Sequence, residues 1–294
     1  MLIAIDHGNR LMKSSHLCFT SGLYESDTKP PFGEEILRYN GKYYSLSEKR
    51  IPYLRDKSSD ERFFILSLFA ISGELEAVVP PSPSVVQTVE LAIGLPPSHY
   101  GTLYKKFEAY FKNRGVFNYE HNGRPYSIRI DDAVCFPQAV AAAMTEYNRI
   151  RQYSRCLVID LGGYTVDFLM IQDRKPDFSA SDSLEHGVIL LYNDIIKKVN
   201  ADLDILIEES DVDAVIQGRS DLPEQMKAIV QSKASAFADE LAGMLRERGI
   251  DLRVTKTVFA GGGSALLRPY FESSSKINAP VFITDIKANV RGMS

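Results

Sequence analysis

Asp6 and Asp160 each close an apolar, strand-like run and each opens a glycine turn, Asp6-His7-Gly8-Asn9 and Asp160-Leu161-Gly162-Gly163, about half the chain apart. A third turn, Ala260-Gly261-Gly262-Gly263-Ser264, follows another such run. Glycine at a strand end lets backbone N–H groups approach and cradle phosphate oxygens, since a Cβ there would hold the ligand away. Two carboxylates facing one site repel unless a cation stands between them. Magnesium brought in by a nucleotide, keeping several of its waters, is the cation expected. Lys13, seven residues after Asp6, is far enough along to return a positive charge to a β or γ phosphate. Gln138, behind Phe136-Pro137, is a neutral amide of the kind that orients a water without being a strong base. These are the parts of a slow nucleotide hydrolase.

The elements that must position these residues are legible in outline. Leu2 to Ile5 reads as a first strand and Ser15 to Thr20 as a second, bent around the Asp6 turn. Asn40-Gly41 and Asn122-Gly123 each sit between β-prone runs, a strong hairpin signal. The polar Glu25 to Gly33 stretch reads as loop. Asp60 caps a largely buried helix over Glu61 to Gly73, and Pro96-Pro97-Ser98 opens an amphipathic helix to about Arg114 after a strand over Val85 to Leu95. Pro137 is expected to begin an alanine-rich helix, Gln138 to Tyr147. In the second half, strands are expected at Arg155 to Ile159, Val166 to Ile171, Phe178 to Leu184, Thr257 to Phe259 and Val281 to Thr284. Gly187 introduces a helix near Val188 to Asn200, a long helix is expected over Leu222 to Arg248, and another over Ala265 to Phe271. The acidic Asp202 to Asp221 stretch reads as a small insertion, as much a solvated face as a contact. Hairpins mixed with helical crossovers give mixed sheets flanked by helices, an α/β class.

At 294 residues the chain exceeds the usual size of one core and is expected to form two lobes with a cleft. A net charge of −4 advertises no direct nucleic-acid ligand. Cys18, Cys135 and Cys156 are odd in number and widely spaced, which indicates neither a zinc site nor a disulfide framework. No apolar run reaches the roughly 18 residues a membrane helix needs, and Met1 to Ile5 is too short for a signal sequence, so a cytoplasmic, reduced protein with no membrane partner is expected.

The order Asp6-x-Gly8-Asn9-x-x-x-Lys13, Phe136-Pro137-Gln138, Asp160-x-Gly162-Gly163-x-Thr165-x-Asp167 and Gly261-Gly262-Gly263 resembles the actin-like ATPase superfamily, and within it the ParM/StbA group of plasmid-segregation proteins. The closing Asn289-Val290-Arg291-Gly292 resembles that group's second interlobe connection. The resemblance implies an actin-like fold, two ribonuclease-H-like lobes around a nucleotide cleft, with ATP or ADP and Mg²⁺ bound. It divides the chain into a first lobe, 1–153, with a small insertion at about 24–75; a second lobe, 154–272, with one at about 200–221; and a return segment, 273–294. Carried over, Asp6 and Asp160 organise the metal, and Gln138 positions the attacking water with Asp160 as its catalytic companion. Gly8, Asn9, Lys13, Gly162, Gly163 and Thr165 hold phosphates, and Gly261, Gly262 and Gly263 pass close to the nucleoside and α-phosphate.

The same resemblance implies self-association into filaments that grow with ATP and fall apart after hydrolysis, meeting DNA through a separate adaptor protein. Three departures stand out. Arg10 replaces the small residue of many relatives, Gln138 stands where ParM-like chains often carry Glu, and only Met293 and Ser294 follow Gly292, so the usual C-terminal helix is expected to be absent or much shortened. The alternatives are a small-molecule kinase on the same fold, for which no further cleft Asp and no zinc cluster present themselves, and a non-polymerising regulatory ATPase.

Overall fold

A computed structural model of the chain describes residues 1–30, 35–78 and 85–293. It divides into two units, one of Met1–Thr145 with the segment from Lys287, the other Glu146–Ile286.

The first unit holds strands β1 (Leu2–His7), β2 (Leu11–Lys13), β3 (Cys18–Thr20), β4 (Leu23–Ser26), β5 (Ile36–Tyr39) and β6 (Lys42–Leu46), helix α1 (Glu61–Val78), β7 (Gln87–Leu95), α2 (Pro97–Lys112), β8 (Val116–His121), β9 (Arg124–Pro137) and α3 (Val140–Thr145). The strands form one nine-stranded sheet in the order β3-β2-β1-β7-β9-β8-β5-β6-β4. β1, β7 and β9 pair in parallel, and the remaining pairs are antiparallel. Both expected Asn-Gly turns are present, with φ of 50° and 80° at Asn40 and Gly41 and 52° and 77° at Asn122 and Gly123, as a tight hairpin turn matching the strand twist requires.

β3 and β4 stand at opposite ends of the sheet order, yet only Ser21 and Gly22 separate them in the chain. Two residues span well under 15 Å, at roughly 3.3–3.6 Å each, so the sheet curls until its two rims converge on that dipeptide. α1 fills the curl. Every residue from Phe63 to Ser72 is buried, the mark of a helix packed on all sides rather than along one stripe. Phe69 meets Phe19 of β3 and His121 of β8; Phe64 meets Tyr39 of β5 and Phe117 of β8; the Ser72 hydroxyl lies 2.9 Å from that of Tyr119.

The second unit contains α4 (Tyr147–Ile150), β10 (Arg155–Leu161), β11 (Val166–Gln172), β12 (Lys175–Leu184), α5 (Val188–Leu203), α6 (Glu209–Ile216), α7 (Glu224–Glu247), β13 (Lys256–Ala260), α8 (Gly261–Leu266), α9 (Arg268–Ser273) and β14 (Val281–Phe282). Its sheet runs β12-β11-β10-β13-β14, antiparallel on the β12 side and parallel on the β14 side. Tyr192 and Ile195 of α5 and Phe237, Leu241 and Leu245 of α7 cover a sheet face built from Leu157, Ile159, Phe168 and Phe259. A final helix, α10 (Ala288–Met293), belongs to the first unit, where Val290 and Met293 are buried with Ala4, Ala92 and Ala141.

Four expectations change. The segment expected as one strand over Ser15 to Thr20 is a turn followed by β3, because Ser14 N–H closes onto the Leu17 carbonyl at 2.9 Å; the partner of β1 is instead β2. Pro137 ends a strand rather than opening a helix, since the parallel ladder runs on to the Leu95–Pro137 pair. Of the expected Glu25 to Gly33 loop, Glu25 and Ser26 belong to β4, and Pro31 to Gly33 lie outside the described residues. In the acidic stretch, α6 carries a capping box between Glu208 and Asp211 and buries Val212, Val215 and Ile216, so one face of it belongs to the core.

Candidate functional site

The first phosphate-type turn joins β1 to β2. Its glycine is obligatory: a Cβ on Gly8 would stand 2.4 Å from the Leu11 carbonyl oxygen. The β1–β2 register places Lys13 directly opposite Asp6, which is how a lysine seven residues downstream returns to the strand end. Lys13 Nζ lies 3.4 Å from Asp6 Oδ2, and the Gln138 amide donates to Asp6 Oδ1 at 2.5 Å. Asp6 is 3% and Gln138 7% exposed. Three of the residues singled out in the sequence are thus brought together on one carboxylate. Asn9, beside Gly8, is half-buried.

Gln138 is placed by a strand end and not by a helix. Its N–H donates to the Leu95 carbonyl at 2.8 Å, the next residue Ala139 takes φ 58°, and α3 begins only at Val140. A left-handed alanine is strained. Asn289 offsets part of that strain, because its side-chain carbonyl accepts the Ala139 N–H at 3.2 Å. Gly94 of β7 makes room for the amide, since a Cβ there would come within 3.1 Å of Gln138 Cγ.

His7 faces away from the turn into the core. Its Nε2 lies 2.8 Å from Ser67 Oγ of α1, and Phe107 of α2 meets its ring edge-on. Burial, reinforced by the Lys57 ammonium, pushes the imidazole down to about 3. Lys57 donates to the His7 carbonyl.

The second turn joins β10 to β11. Gly162 N–H donates to the Thr165 carbonyl at 2.9 Å, closing a four-residue turn. The Thr165 hydroxyl is buried and faces Asp167 Oδ2 at 3.5 Å, and Ser183 donates to the other oxygen of Asp167, so this pair braces the hairpin. The carbonyls on the other side of the turn are taken by the start of α5. Gly187 N–H donates to Tyr164, Val188 N–H to Gly162 at 3.2 Å, and Ile189 N–H to Gly163 at 2.8 Å.

The parallel β10–β13 pairing sets Asp160 beside Ala260 and so carries the third turn up to the aspartate. Gly261 has φ 86°, and a Cβ on it would lie 2.2 Å from Asp160 Oδ1 and 2.7 Å from the Leu161 carbonyl. Gly262 faces open space. Gly263 is turned inward, where a Cβ would meet Leu161 and Val188 side chains at 2.6 and 2.7 Å; it lets α8 pack on β10 and α5.

These parts fit a magnesium nucleotide. Among the described residues no three His, Cys, Asp or Glu side chains gather as a metal cage. A hard cation that arrives with phosphates and retains waters needs only one or two carboxylates; taken separately, the first unit carries Asp6 near the end of β1 and the second carries Asp160 beside its third turn. Gly262 leaves open the kind of space a phosphate or ribose occupies at a backbone turn.

Sequence reasoning overlooked Gly94 and did not see that Gly187 supports the second turn. Gly187 had a readable signal in the helix it introduces. A Cβ there would stand 2.4 Å from the Gly163 carbonyl oxygen, which reserves the position for glycine.

The chain matches two family models, one in each unit. Residues 33–140 match the N-terminal domain of actin-like proteins, and residues 158–273 match the C-terminal part of the archaeal MreB-like actin homologue. A comparison with curated protein sequences finds no match. Among solved structures the chain is similar to a 15-stranded ParM filament from Clostridium botulinum, at 16% identity and a TM-score of 0.77 over 99% of this chain and 97% of that one. It is similar to the ADP complex of the archaeal actin homologue Ta0583, at 18% identity and 0.75 over the same shares. It is also similar to the AlfA filament bound to AMPPNP, at 14% identity and 0.66 over 100% and 94%. An actin-type model is thus matched in each unit, and the fold is shared along the whole chain with these actin-like structures.

Proposed function

We propose that this chain is an ATPase that assembles with MgATP into filaments and loses them after hydrolysis, and that it serves the segregation of a plasmid or other mobile DNA through a separate DNA-binding adaptor. The observation that carries the catalytic part is the convergence of Gln138 and Lys13 on Asp6 at the first turn. In this reading the N–H groups at Gly8 and Asn9, and that of Gly163, hold phosphate oxygens, while Gly162, whose N–H is committed to the Thr165 carbonyl, shapes the second turn. Magnesium, when bound, supplies the positive charge that neutralises the phosphates during transfer. Asp6 and Asp160 orient its waters, Lys13 adds charge at the terminal phosphates, and Gln138 aligns the attacking water without deprotonating it. Gly261 and Gly262 let the nucleoside lie against backbone. Support for assembly comes from the filament structures of ParM and AlfA to which the fold is similar.

The test is pelleting and light scattering of the purified chain with MgATP, MgADP and no nucleotide, alongside phosphate release by wild type and Asp160→Ala. Scattering that rises with ATP, decays as phosphate appears, and persists in the variant is the result expected. Hydrolysis without assembly at any concentration removes the segregation reading and turns attention to a phosphorylated acceptor.

A further inference from the structure

Ser21 carries no chemistry of its own, yet it grips the first phosphate-type turn at two points. Its hydroxyl donates to the Gly8 carbonyl at 2.6 Å, and its backbone N–H donates to the Arg10 carbonyl at 2.9 Å. These carbonyls flank Asn9 on both sides. With both occupied from behind, the Gly8–Asn9 and Arg10–Leu11 peptide units are held in one orientation, and because each peptide is planar that orientation decides where the N–H groups of Asn9 and Leu11 point. Ser21 is 1% exposed and Gly8 half-buried, so water replaces the lost hydroxyl only in part.

The serine is itself fixed. Its carbonyl accepts Ile51 N–H at 2.8 Å, and the neighbouring Gly22 carbonyl accepts Ser47 N–H at 3.1 Å. Gly22 allows this approach, because a Cβ would lie 2.1 Å from the Ser47 carbonyl oxygen and 2.4 Å from that of Lys49. The turn is therefore anchored to the segment following β6 through one residue placed where the rims of the curled sheet meet.

We propose that Ser21 is a positioning residue for phosphate binding: it presets the first turn so that its N–H groups meet the terminal phosphates without reorganisation. The proposal rests on the nucleotide reading above. A preset turn adds affinity only for the part of the ligand it touches. Removing the hydroxyl should therefore weaken ATP and ADP and leave AMP unchanged, which a general loss of stability would not do.

The experiment measures competition of ATP, ADP and AMP against a fluorescent ATP analogue for wild type, Ser21→Ala, Ser21→Cys and Ser21→Thr. Cysteine keeps the volume with a weak donor, and threonine keeps the hydroxyl. Amide hydrogen exchange of the segment from Gly8 to Leu11 is followed without nucleotide. The expected result is a loss of about tenfold in ATP affinity for the alanine and cysteine variants, near the worth of one buried hydrogen bond. AMP should be unaltered, threonine should recover most of the loss, and exchange should quicken in the first turn but not at Gly162 to Thr165. ATP affinities within twofold of wild type, or equal losses for ATP and AMP, overturn the proposal. A wild type that binds none of the nucleotides brings down the nucleotide reading and the phosphate role of Ser21 with it, and unchanged exchange in Ser21→Ala would show that the grip itself is not there.

Discussion

Gln138 and Asp6, 132 positions apart in sequence, share a hydrogen bond of 2.5 Å in which the amide donates to the carboxylate. The amide is thus stored on the residue expected to face the metal. In the proposed mechanism Asp6 would hold waters of a magnesium ion, and the Gln138 amide would then be free to orient the attacking water. Gln138→Ala should lower phosphate release by about tenfold to a hundredfold, the range of a lost positioning group. Nucleotide affinity should stay within about threefold in a binding titration. A matching fall in affinity would mean that the amide holds ligand rather than water.

Gly261 and Gly262 make a paired test. Alanine at Gly261 must accept φ 86° and a Cβ 2.2 Å from Asp160 Oδ1. It should cost about 1–3 kcal/mol of stability and lower the thermal midpoint by several degrees. Alanine at Gly262 meets nothing within 4 Å and should melt with wild type. If the nucleoside lies there, Gly262→Ala loses nucleotide affinity without losing stability; equal affinity would move the nucleoside elsewhere.

Gly187 separates support from contact at the second turn. It is expected to touch no ligand, but Gly187→Ala drives a Cβ into the Gly163 carbonyl. The start of α5 must then withdraw, and three N–H donors leave the carbonyls of Gly162, Gly163 and Tyr164. Faster amide exchange from Gly162 to Tyr164 and a rise of about tenfold or more in ATP Kd are expected, measured by mass spectrometry and titration.

His7 gives the chain a directional response to acid. Its folded value, lowered to about 3 by burial and by Lys57, lies below the ordinary 6.5, so the unfolded chain takes up a proton that the folded chain refuses. Stability is full above pH 6.5 and falls as pH drops toward 3, by about 2 kcal/mol between pH 7 and 5 for this one group. His99 is held down to about 4, by burial first and then by Arg55 and Lys57, and acts in the same direction. Urea unfolding at pH 7 and 5 should show the loss in wild type and a flatter dependence in His7→Gln.

The glycine turns, the Asn-Gly hairpins and the long helix of the second half were readable because each depends on a few adjacent residues. Position-specific φ demands and a simple hydrophobic period announce them locally. Gln138 was singled out in the sequence as a residue that orients water; its bond to Asp6 was not foreseen, and its setting was misjudged. Proline favours a helix start, and only the parallel pairing with Leu95, a partner distant in sequence, keeps Pro137 in a strand. Ser21, Gly94 and the bond from the Ala139 N–H to Asn289 left no local trace, since their roles exist only once segments distant in sequence are side by side. The burial of Val212, Val215 and Ile216 was within reach, because their i, i+3, i+4 spacing marks one helix face; the surrounding acids concealed it.

The converging rims of the nine-stranded sheet bear on where foreign sequence can be placed in the chain. Asn40-Gly41 and Asn122-Gly123 are exposed hairpin tips, and a peptide tag or fluorescent reporter spliced there lengthens a loop at small entropic cost. The same insert between Ser21 and Gly22 would part the two edges that this dipeptide keeps together and would lay α1 open to solvent along its length.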